Sequence, residues 1–232
     1  MNGKLFIKRG TRAIGSGSFD GNCEIVSVRI PDGCYYINDF AFHRCMSLKE
    51  VRFPNRSISE IGIKAFACTN LEKIVIPDTV EFIDRLAFAF NHRLRSVHIG
   101  KEVAVIRSGA FSGCPELKDI TVDPENLYYY VENGCLIEKK TKKLIAATYP
   151  YKIPEGVEII DRQTFLFLTN CNVVTIPSSV KAIYIYEDEI GNFCMCKSVA
   201  DAGGTVTIKA PSGSYAERFA RKHGINFAED KE

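Results

Sequence analysis

The sequence predicts an α/β repeat solenoid with one main parallel β-sheet, and three observations carry this prediction. An apolar residue recurs at a spacing of mostly 23 residues and is followed in most copies by proline. An Ala-Phe pair recurs with nearly the same period. A unit of this size is too small to bury its apolar face alone, so consecutive units must stack. The apolar step falls at Ile30, Phe53, Ile76, Ile99, Val122, Ile153 and Ile176, and the Ala-Phe pair at Phe42, Phe66, Phe88 and Phe111.

The first half of each unit is predicted to be a short β-strand. In the segment 48–53, Val51 and Phe53 point inward and Arg52 points outward, because side chains alternate along a strand. Pro54 ends the strand, since proline cannot donate the next ladder hydrogen bond. The three inward rows of the stacked sheet are Ile25, Leu48, Leu71, Leu94, Leu117; Val28, Val51, Ile74, Val97, Ile120; and Ile30, Phe53, Ile76, Ile99, Val122.

The second half of each unit begins with a Val-x-x-Ile step, as at Val80 and Ile83, and continues into the Ala-Phe pair. We expect the pair to lie in a tight helical or 3₁₀ turn. Its phenylalanine fills the space between the two sides of the coil, where burial is worth roughly 1.5–3 kcal/mol per side chain.

A row of asparagine and cysteine residues follows the phenylalanines. A small polar side chain at one buried repeat position is expected to hydrogen-bond backbone groups that the turn leaves unpaired. This interpretation makes several of the nine cysteines free thiols rather than disulfide partners. Cys34 and Cys171 fill apolar slots in the same way. The row consists of Asn22, Cys45, Cys68, Asn91 and Cys114.

The combined pattern, L-x-x-[IV]-x-IP-x-x-V-x-x-I-x-x-x-AF-x-x-C-x-x-L, resembles the BspA-like leucine-rich repeat family over nearly the whole chain. IGIKAFACTNLEKIVIPDTVEFIDRLAF and IRSGAFSGCPELKDITV carry the resemblance. The resemblance implies a right-handed leucine-rich-repeat superhelix. It also implies a protein of bacterial or protist surfaces, where some family members are adhesins for host matrix proteins or other bacteria. The family brings no catalytic motif.

The domain prediction is a single leucine-rich-repeat solenoid over residues 1–232. An insertion at 124–153 breaks the period, and Asn133-Gly134 between strand-like runs indicates a small β-hairpin. Residues 184–204 form an irregular repeat. Residues 211–232 form a C-terminal cap built on a helix, with Ser214 and Glu217 as its capping box and Gly224 as its left-handed C-cap.

Charge and hydropathy exclude some classes of partner. The chain has 30 basic and 28 acidic residues, so it gives no electrostatic reason to expect a nucleic acid. No stretch reaches the roughly 20 apolar residues of a membrane span, so we expect no membrane insertion. The segment 1–10 lacks the apolar core of a signal peptide. These features fit either a cytoplasmic protein or the mature part of an exported one.

The candidate binding face is formed by outward side chains of the main strands, since the sheet face of a solenoid is its usual binding surface. The alternative is an ordinary solvated face of mixed charge. The candidate residues are Arg29, Glu50, Arg52, Lys73, Val75, Ser96, His98, Asp119, Thr121 and Thr175.

Other groups give weaker indications. Cys194 and Cys196 lack the second ligand pair of a metal site, so two ordinary thiols are the alternative to metal or redox function. Tyrosines at 35–36, 128–130, 149 and 151 form either an aromatic surface or part of the packing of the inserted hairpin. The four histidines occupy unrelated repeat positions. We therefore predict no catalytic, metal or cofactor site.

The sequence thus predicts a non-catalytic module that binds a protein or a glycan, with a host matrix or bacterial surface protein as the partner that the family resemblance implies. The same resemblance places it at the cell surface or outside the cell. An intracellular scaffold or regulatory domain is the alternative, and an enzyme with a site near 126–149 or Cys194 is a third hypothesis. The oligomeric state is left open.

Overall fold

The computed structural model describes residues 3–161, 163–164, 173–184 and 206–231. The chain separates into two compact units, Met1–Tyr129 and Tyr130–Glu232. The predictions on Cys171 and Cys194-x-Cys196 lie outside the described residues, as does the irregular repeat beyond Tyr184. The single domain over residues 1–232 stays a prediction.

The first unit alternates two kinds of parallel strand. The main strands are β1 (Lys4–Phe6), β3 (Ser27–Arg29), β5 (Glu50–Arg52), β7 (Lys73–Val75), β9 (Ser96–Ile99) and β11 (Asp119–Val122). Between them come the two-residue strands β2 (Ala13–Ile14), β4 (Tyr36–Ile37), β6 (Glu60–Ile61), β8 (Phe82–Ile83) and β10 (Val105–Ile106). Stacked parallel strands at this period confirm the predicted leucine-rich-repeat solenoid class.

The main strands pair in two three-stranded sheets, β1-β3-β5 and β7-β9-β11, whereas the short strands form one unbroken five-stranded sheet. Each short strand ends in an isoleucine that is buried, which confirms the inward slot of the Val-x-x-Ile step. The core therefore lies between the two rows of strands, and leucines such as Leu48 and Leu71 are fully buried in it.

The four Ala-Phe turns and the equivalent Ser18-Phe19 turn place five phenylalanines in one ladder. Neighbouring ring centroids are 5.1, 5.2, 5.5 and 5.7 Å apart, and the ring planes are within 9° of parallel. Phe42, Phe66 and Phe88 have no solvent exposure. The ladder runs through Phe19, Phe42, Phe66, Phe88 and Phe111.

These turns differ from the helical or 3₁₀ turns that the sequence suggested. The residues two before and two after each phenylalanine have positive φ, as at Phe40 (59°) and Arg44 (57°) around Phe42. This alternation directs three backbone N–H groups toward the next repeat. Phe40, Phe42 and Arg44 donate to Ile63, Ala65 and Ala67 over 2.8–2.9 Å. The turns are therefore hydrogen-bonded from repeat to repeat, much as the strands are.

The polar row after the phenylalanines has the predicted role. The Sγ atoms of Cys45 and Cys114 donate to the carbonyls of Phe19 and Phe88, each in the preceding repeat. The Asn91 amide donates to the carbonyls of Phe66 at 2.9 Å and Phe88 at 2.8 Å.

Cys68 is a correction to this row. It is half-buried, and its φ of 57° places it at the left-handed position that Arg44 occupies one repeat earlier. Thr69, which is buried, fills the slot instead, and its hydroxyl donates to Asn91 Oδ1. The slot is therefore three residues after the phenylalanine in each of these repeats. This repeat is one residue shorter than the usual 23, and the missing residue falls after Thr69.

Side chains hydrogen-bond the backbone at and before β10, the last short strand of the first unit. Tyr129 is 2% exposed, and its hydroxyl accepts the N–H of Ile106 at 2.8 Å. The Asn126 amide donates to the carbonyls of Gly100 and Val103. These bonds satisfy groups that a following strand would otherwise pair.

In the second unit the insertion contains the predicted hairpin. The strands of this unit are β12 (Tyr129–Glu132), β13 (Cys135–Glu138), β14 (Lys143–Ala147), β15 (Ile159–Ile160), β16 (Val173–Thr175), β17 (Ala182–Ile183), β18 (Thr207–Ala210) and β19 (Asn226–Glu229). β13 and β14 are antiparallel, and β14 then pairs in parallel with β15. Asn133-Gly134 form the turn between β12 and β13, and the hairpin strands lie in one sheet with the short strands of this unit, in the order β12-β13-β14-β15-β17.

The C-terminal cap contains the helix α1 (Tyr215–Lys222). Ser214 accepts the N–H of Glu217 at 3.1 Å, and the Glu217 carboxylate accepts the N–H of Gly213. The stretch after Gly224 forms a further strand, β19, beside β18, which the sequence pattern did not indicate. The positive φ of Gly224 (64°) turns the chain out of the helix at this point. Among the described residues no helix is long and apolar enough to cross a membrane.

Candidate functional site

The main-strand face of the first unit carries nine of the ten candidate residues. They form two rows, because register pairing places equivalent residues side by side. Arg29 pairs with Arg52, Val75 pairs with His98, and His98 pairs with Thr121. The neighbouring row is built in the same way, with Ser27 beside Glu50 and Ser96 between Lys73 and Asp119. We call these outward side chains of the first unit the main-strand face.

Thr175 belongs to the second unit. It is half-buried in β16, where it is the register partner of Lys209 and forms an isolated bridge with Lys152. The structure therefore groups nine of the predicted residues in one unit and places Thr175 in a sheet of the other unit.

Side-chain contacts on the main-strand face are few. The Arg52 Nε donates to Glu50 Oε1 at 2.7 Å, and this bond lowers the pKa of the Glu50 carboxyl. His98 Nδ1 lies 3.0 Å from the Thr121 hydroxyl. Val75 is 58% exposed on β7, the edge strand of its three-stranded sheet. An exposed apolar side chain surrounded by polar ones is a common feature of recognition surfaces.

A local irregularity divides this face between β5 and β7, which are not paired. Ten residues separate the starts of β5 and β6 (Glu50 to Glu60), whereas nine separate those of β3 and β4 (Ser27 to Tyr36). The extra residue lies in the loop after β5. Val51 and Phe53, predicted to be fully inward, are only half-buried here.

Two grooves flank the segment Phe53-Pro54-Asn55, which lines both of them. The first groove, about 920 Å³, is bordered by the segments that follow β1, β3 and β5. The second groove, about 950 Å³, lies against β5, β7 and β9 and includes Val75, Lys73 and His98. Both are of the size of small-ligand or peptide sites. The sequence did not predict them, because their shape depends on the extra residue and on loop conformation.

A charged cluster on the turn side was also missed. Asp20 Oδ2 lies 2.8 Å from Arg44 Nη2, and Asp20 Oδ1 lies 3.0 Å from His43 Nδ1. The hydrogen bond from Arg44 lowers the pKa of Asp20, whereas burial lowers that of His43. The sequence feature that could have indicated this cluster is a pair of opposite charges about one repeat apart, at 20 and 43–44. Within the described residues no three His, Cys, Asp or Glu side chains are grouped as metal ligands.

Some of the tyrosines fit an aromatic surface, and others fit the packing of the inserted hairpin. Tyr35 and Tyr36 are exposed and 6.4 Å apart between ring centroids, so they can form a surface. Tyr129 and Tyr151 are buried. Tyr130 packs against the core of the second unit, as the hairpin interpretation expects.

The six described cysteines are free thiols, and we expect their reactivity to separate them sharply. Burial raises the pKa of Cys45 to about 11 and that of Cys114 and Cys135 to about 12. Only the thiolate reacts, so at pH 8 the exposed Cys23 should be labelled by a thiol reagent long before these three. Peptide mapping after brief labelling checks the order, and Cys23→Ser should remove its fast-labelled peptide.

The same shifts set an alkaline limit on stability. Because folding raises the pKa values of these thiols, their contribution to the free energy of unfolding is fully present below the unfolded pKa of about 8.5. This contribution is lost as pH rises toward 11–12. Rapid labelling of Cys114 in the native protein at pH 8 would contradict its burial.

Comparison with known proteins gives a consistent result. Solved structures similar to this chain include a leucine rich cell surface protein from Faecalibacterium prausnitzii, with 30% identity, a TM-score of 0.50, and coverage of 72% of this chain and 40% of that one. A leucine-rich repeat protein from Eubacterium ventriosum has 21% identity and a TM-score of 0.63 over 90% of this chain and 62% of its own. The pneumococcal vaccine antigen PcpA has 15% identity and a TM-score of 0.52 over 99% and 89%.

The chain thus spans less than two thirds of the length of the first two proteins. The two likenesses below 25% identity concern the fold alone. A search of curated proteins finds no match. Residues 12–138 and 147–199 match the BspA type leucine rich repeat region in 6 copies. Together with the stacked strands and the repeating turns, this match shows that the chain belongs to the BspA-type leucine-rich repeat family.

Proposed function

We propose that this protein is a non-catalytic interaction module that binds a protein partner through the main-strand face of its first unit. Leucine-rich repeat proteins generally bind proteins, and the family and fold are typically non-catalytic. The observation that carries the proposal is the exposed apolar side chain of Val75, set among polar side chains beside the second groove. An apolar centre surrounded by a polar rim is the usual anatomy of a binding patch.

We also propose that the protein acts at the cell surface or outside the cell. The support is its family and the similarity to a protein described as a leucine rich cell surface protein. Matrix proteins and surface proteins of other bacteria are the partners to examine first, with surface glycans as the other class.

The test is a binding panel with matched surface variants. Immobilised matrix proteins, bacterial surface proteins and glycans are probed with the wild type, Val75→Arg and Met46→Arg. Met46 is 62% exposed and lies in the turn between β4 and β5, so it provides the same apolar-to-arginine change away from the face. Loss of binding in Val75→Arg alone is expected.

Binding that both variants retain would exclude the face around Val75. Fractionation of the source cells tests the location. Recovery in the cytoplasmic fraction alone would favour the intracellular scaffold.

A further inference from the structure

The first groove differs from the rest of the main-strand face in its charge. Arg9, Arg29 and Arg52 all line it, and Asp32 is the one acidic residue among its described lining residues. Three arginines against Asp32 and the Glu50 carboxylate that bonds Arg52 still leave a local excess of positive charge, although the whole chain is nearly neutral. A cleft lined by one sign of charge concentrates ligands of the opposite sign.

The arginines are available to a ligand. Within the described residues, the guanidinium groups of Arg9 and Arg29 form no ion pair. Arg52 is bonded to Glu50 through Nε, which leaves its other donors. Elsewhere in this unit many basic side chains pair with an acidic residue of a neighbouring repeat, as Arg107 does with Asp84.

The two strand arginines are placed side by side. Arg29 and Arg52 are direct register partners on β3 and β5, and parallel strands lie about 4.8 Å apart. Each guanidinium presents a planar fork of donors that matches a carboxylate. The pair can therefore hold one carboxylate between two forks, or two carboxylates on one chain.

Apolar surface adjoins these charges. Phe6 is 69% exposed and Phe53 is half-exposed, and both line the first groove with Ile30 and two prolines. A ligand that covers these rings gains hydrophobic contact as well as charge pairing. Apart from the charged side chains, Asn55 supplies the polar side-chain group of the lining.

The second groove provides an internal comparison. Its charged lining residues are nearly balanced, so it lacks the excess of the first groove. They are Lys49, Glu50, Glu72, Lys73, Asp78, Arg95 and Asp123.

We propose that the first groove binds an acidic peptide segment in which carboxylate side chains alternate with apolar ones. This inference rests on the proposed function and names the partner chemistry for one part of its face. An acidic peptide needs cations and apolar surface, and the groove supplies both. An acidic glycan would also need hydrogen bonds for each hydroxyl that it buries, and here the groove offers little beyond Asn55.

The test measures the affinity of a short fluorescent peptide that alternates glutamate with leucine. We expect wild-type binding that weakens when ionic strength rises from about 0.05 to about 0.5 M. Arg29→Glu should weaken binding about tenfold or more, because it removes one fork and adds repulsion. Arg85→Glu makes the same change in an exposed turn outside both grooves and the main-strand face, and it should leave affinity within about twofold. Both residues are exposed, so thermal unfolding serves as the folding control.

Several results would overturn the inference. These are equal affinity for a peptide with lysine in place of glutamate, equal losses in Arg29→Glu and Arg85→Glu, and binding of an oligogalacturonate with none of the acidic peptide. The proposed function fails separately. A protein partner lost in Val75→Arg but retained in Arg29→Glu would support the face and reject the acidic segment.

Discussion

Replacing Phe88 by alanine is expected to destabilise the first unit by about 3–5 kcal/mol. The Phe88 ring is fully buried and lies between the rings of Phe66 and Phe111, at centroid distances of 5.5 and 5.7 Å. Truncation removes both ring contacts and leaves a cavity that its neighbours cannot fill, because their backbones are fixed by the bonds between turns. Urea denaturation followed by circular dichroism measures the loss.

Phe6→Ala is the matched control for this experiment. Phe6 is 69% exposed and lies outside the ladder, so its truncation should change the free energy of unfolding by no more than about 0.5 kcal/mol. A loss below about 1 kcal/mol for Phe88→Ala would show that the phenylalanine ladder does not hold the repeats together.

Replacing Asn91 by leucine is expected to cost about 3–6 kcal/mol, although leucine is the more apolar residue. Asn91 has no solvent exposure, donates to two backbone carbonyls, and accepts the Thr69 hydroxyl. Leucine would leave the Phe66 carbonyl and the Thr69 hydroxyl buried without this partner, at about 1–3 kcal/mol each. It would leave the Phe88 carbonyl with the weaker Cys114 thiol alone. The measurement is the same denaturation experiment.

Asn91→Cys separates hydrogen bonding from packing. Cysteine occupies the equivalent slot at Cys45 and Cys114, where its Sγ donates to a phenylalanine carbonyl. We expect this variant to lose about half as much stability as Asn91→Leu, because one weak donor remains. If the leucine variant were the more stable of the two, the asparagine and cysteine row would stabilise the fold by apolar packing rather than by hydrogen bonds.

The strict period explains why so much of the fold could be predicted. Main strands begin every 23 residues from Ser27 to Asp119, so one unit such as 71–88 identifies inward and outward positions in the others. The assignment failed at Cys68 because Phe66 lies 24 residues after Phe42, while Phe88 follows after only 22. Sequence spacing shows this shift but cannot say on which side of Cys68 the missing residue falls.

The left-handed turn positions could not be predicted from the sequence for a different reason. Glycines occupy them at 17, 21, 109 and 113, and glycine is the residue that such φ values favour. Phe40, Arg44, Leu86 and Phe90 occupy the same positions in the repeats between, and these residue types give no local signal. The hydrogen bonds to the next repeat hold them there, and that stabilisation exists only after stacking.

The candidate site was predicted in part. Alternation along a strand identified the outward rows, and the register confirms which residues are neighbours. The grooves could not be predicted, because they arise from unpaired strands and from the loop after β5. The Asp20, His43 and Arg44 cluster depends on how two successive turns superimpose.

The extra residue after β5 and the residue missing beyond Thr69 cancel within one repeat. From β7 onward the strands return to the spacing of the earlier repeats, so the phenylalanine ladder continues through Phe66 and Phe88 without a gap. A length change near the grooves is thus absorbed locally instead of propagating along the chain. The architecture thus combines a hydrophobic frame of fixed spacing with rim loops whose length can be altered to suit a new partner.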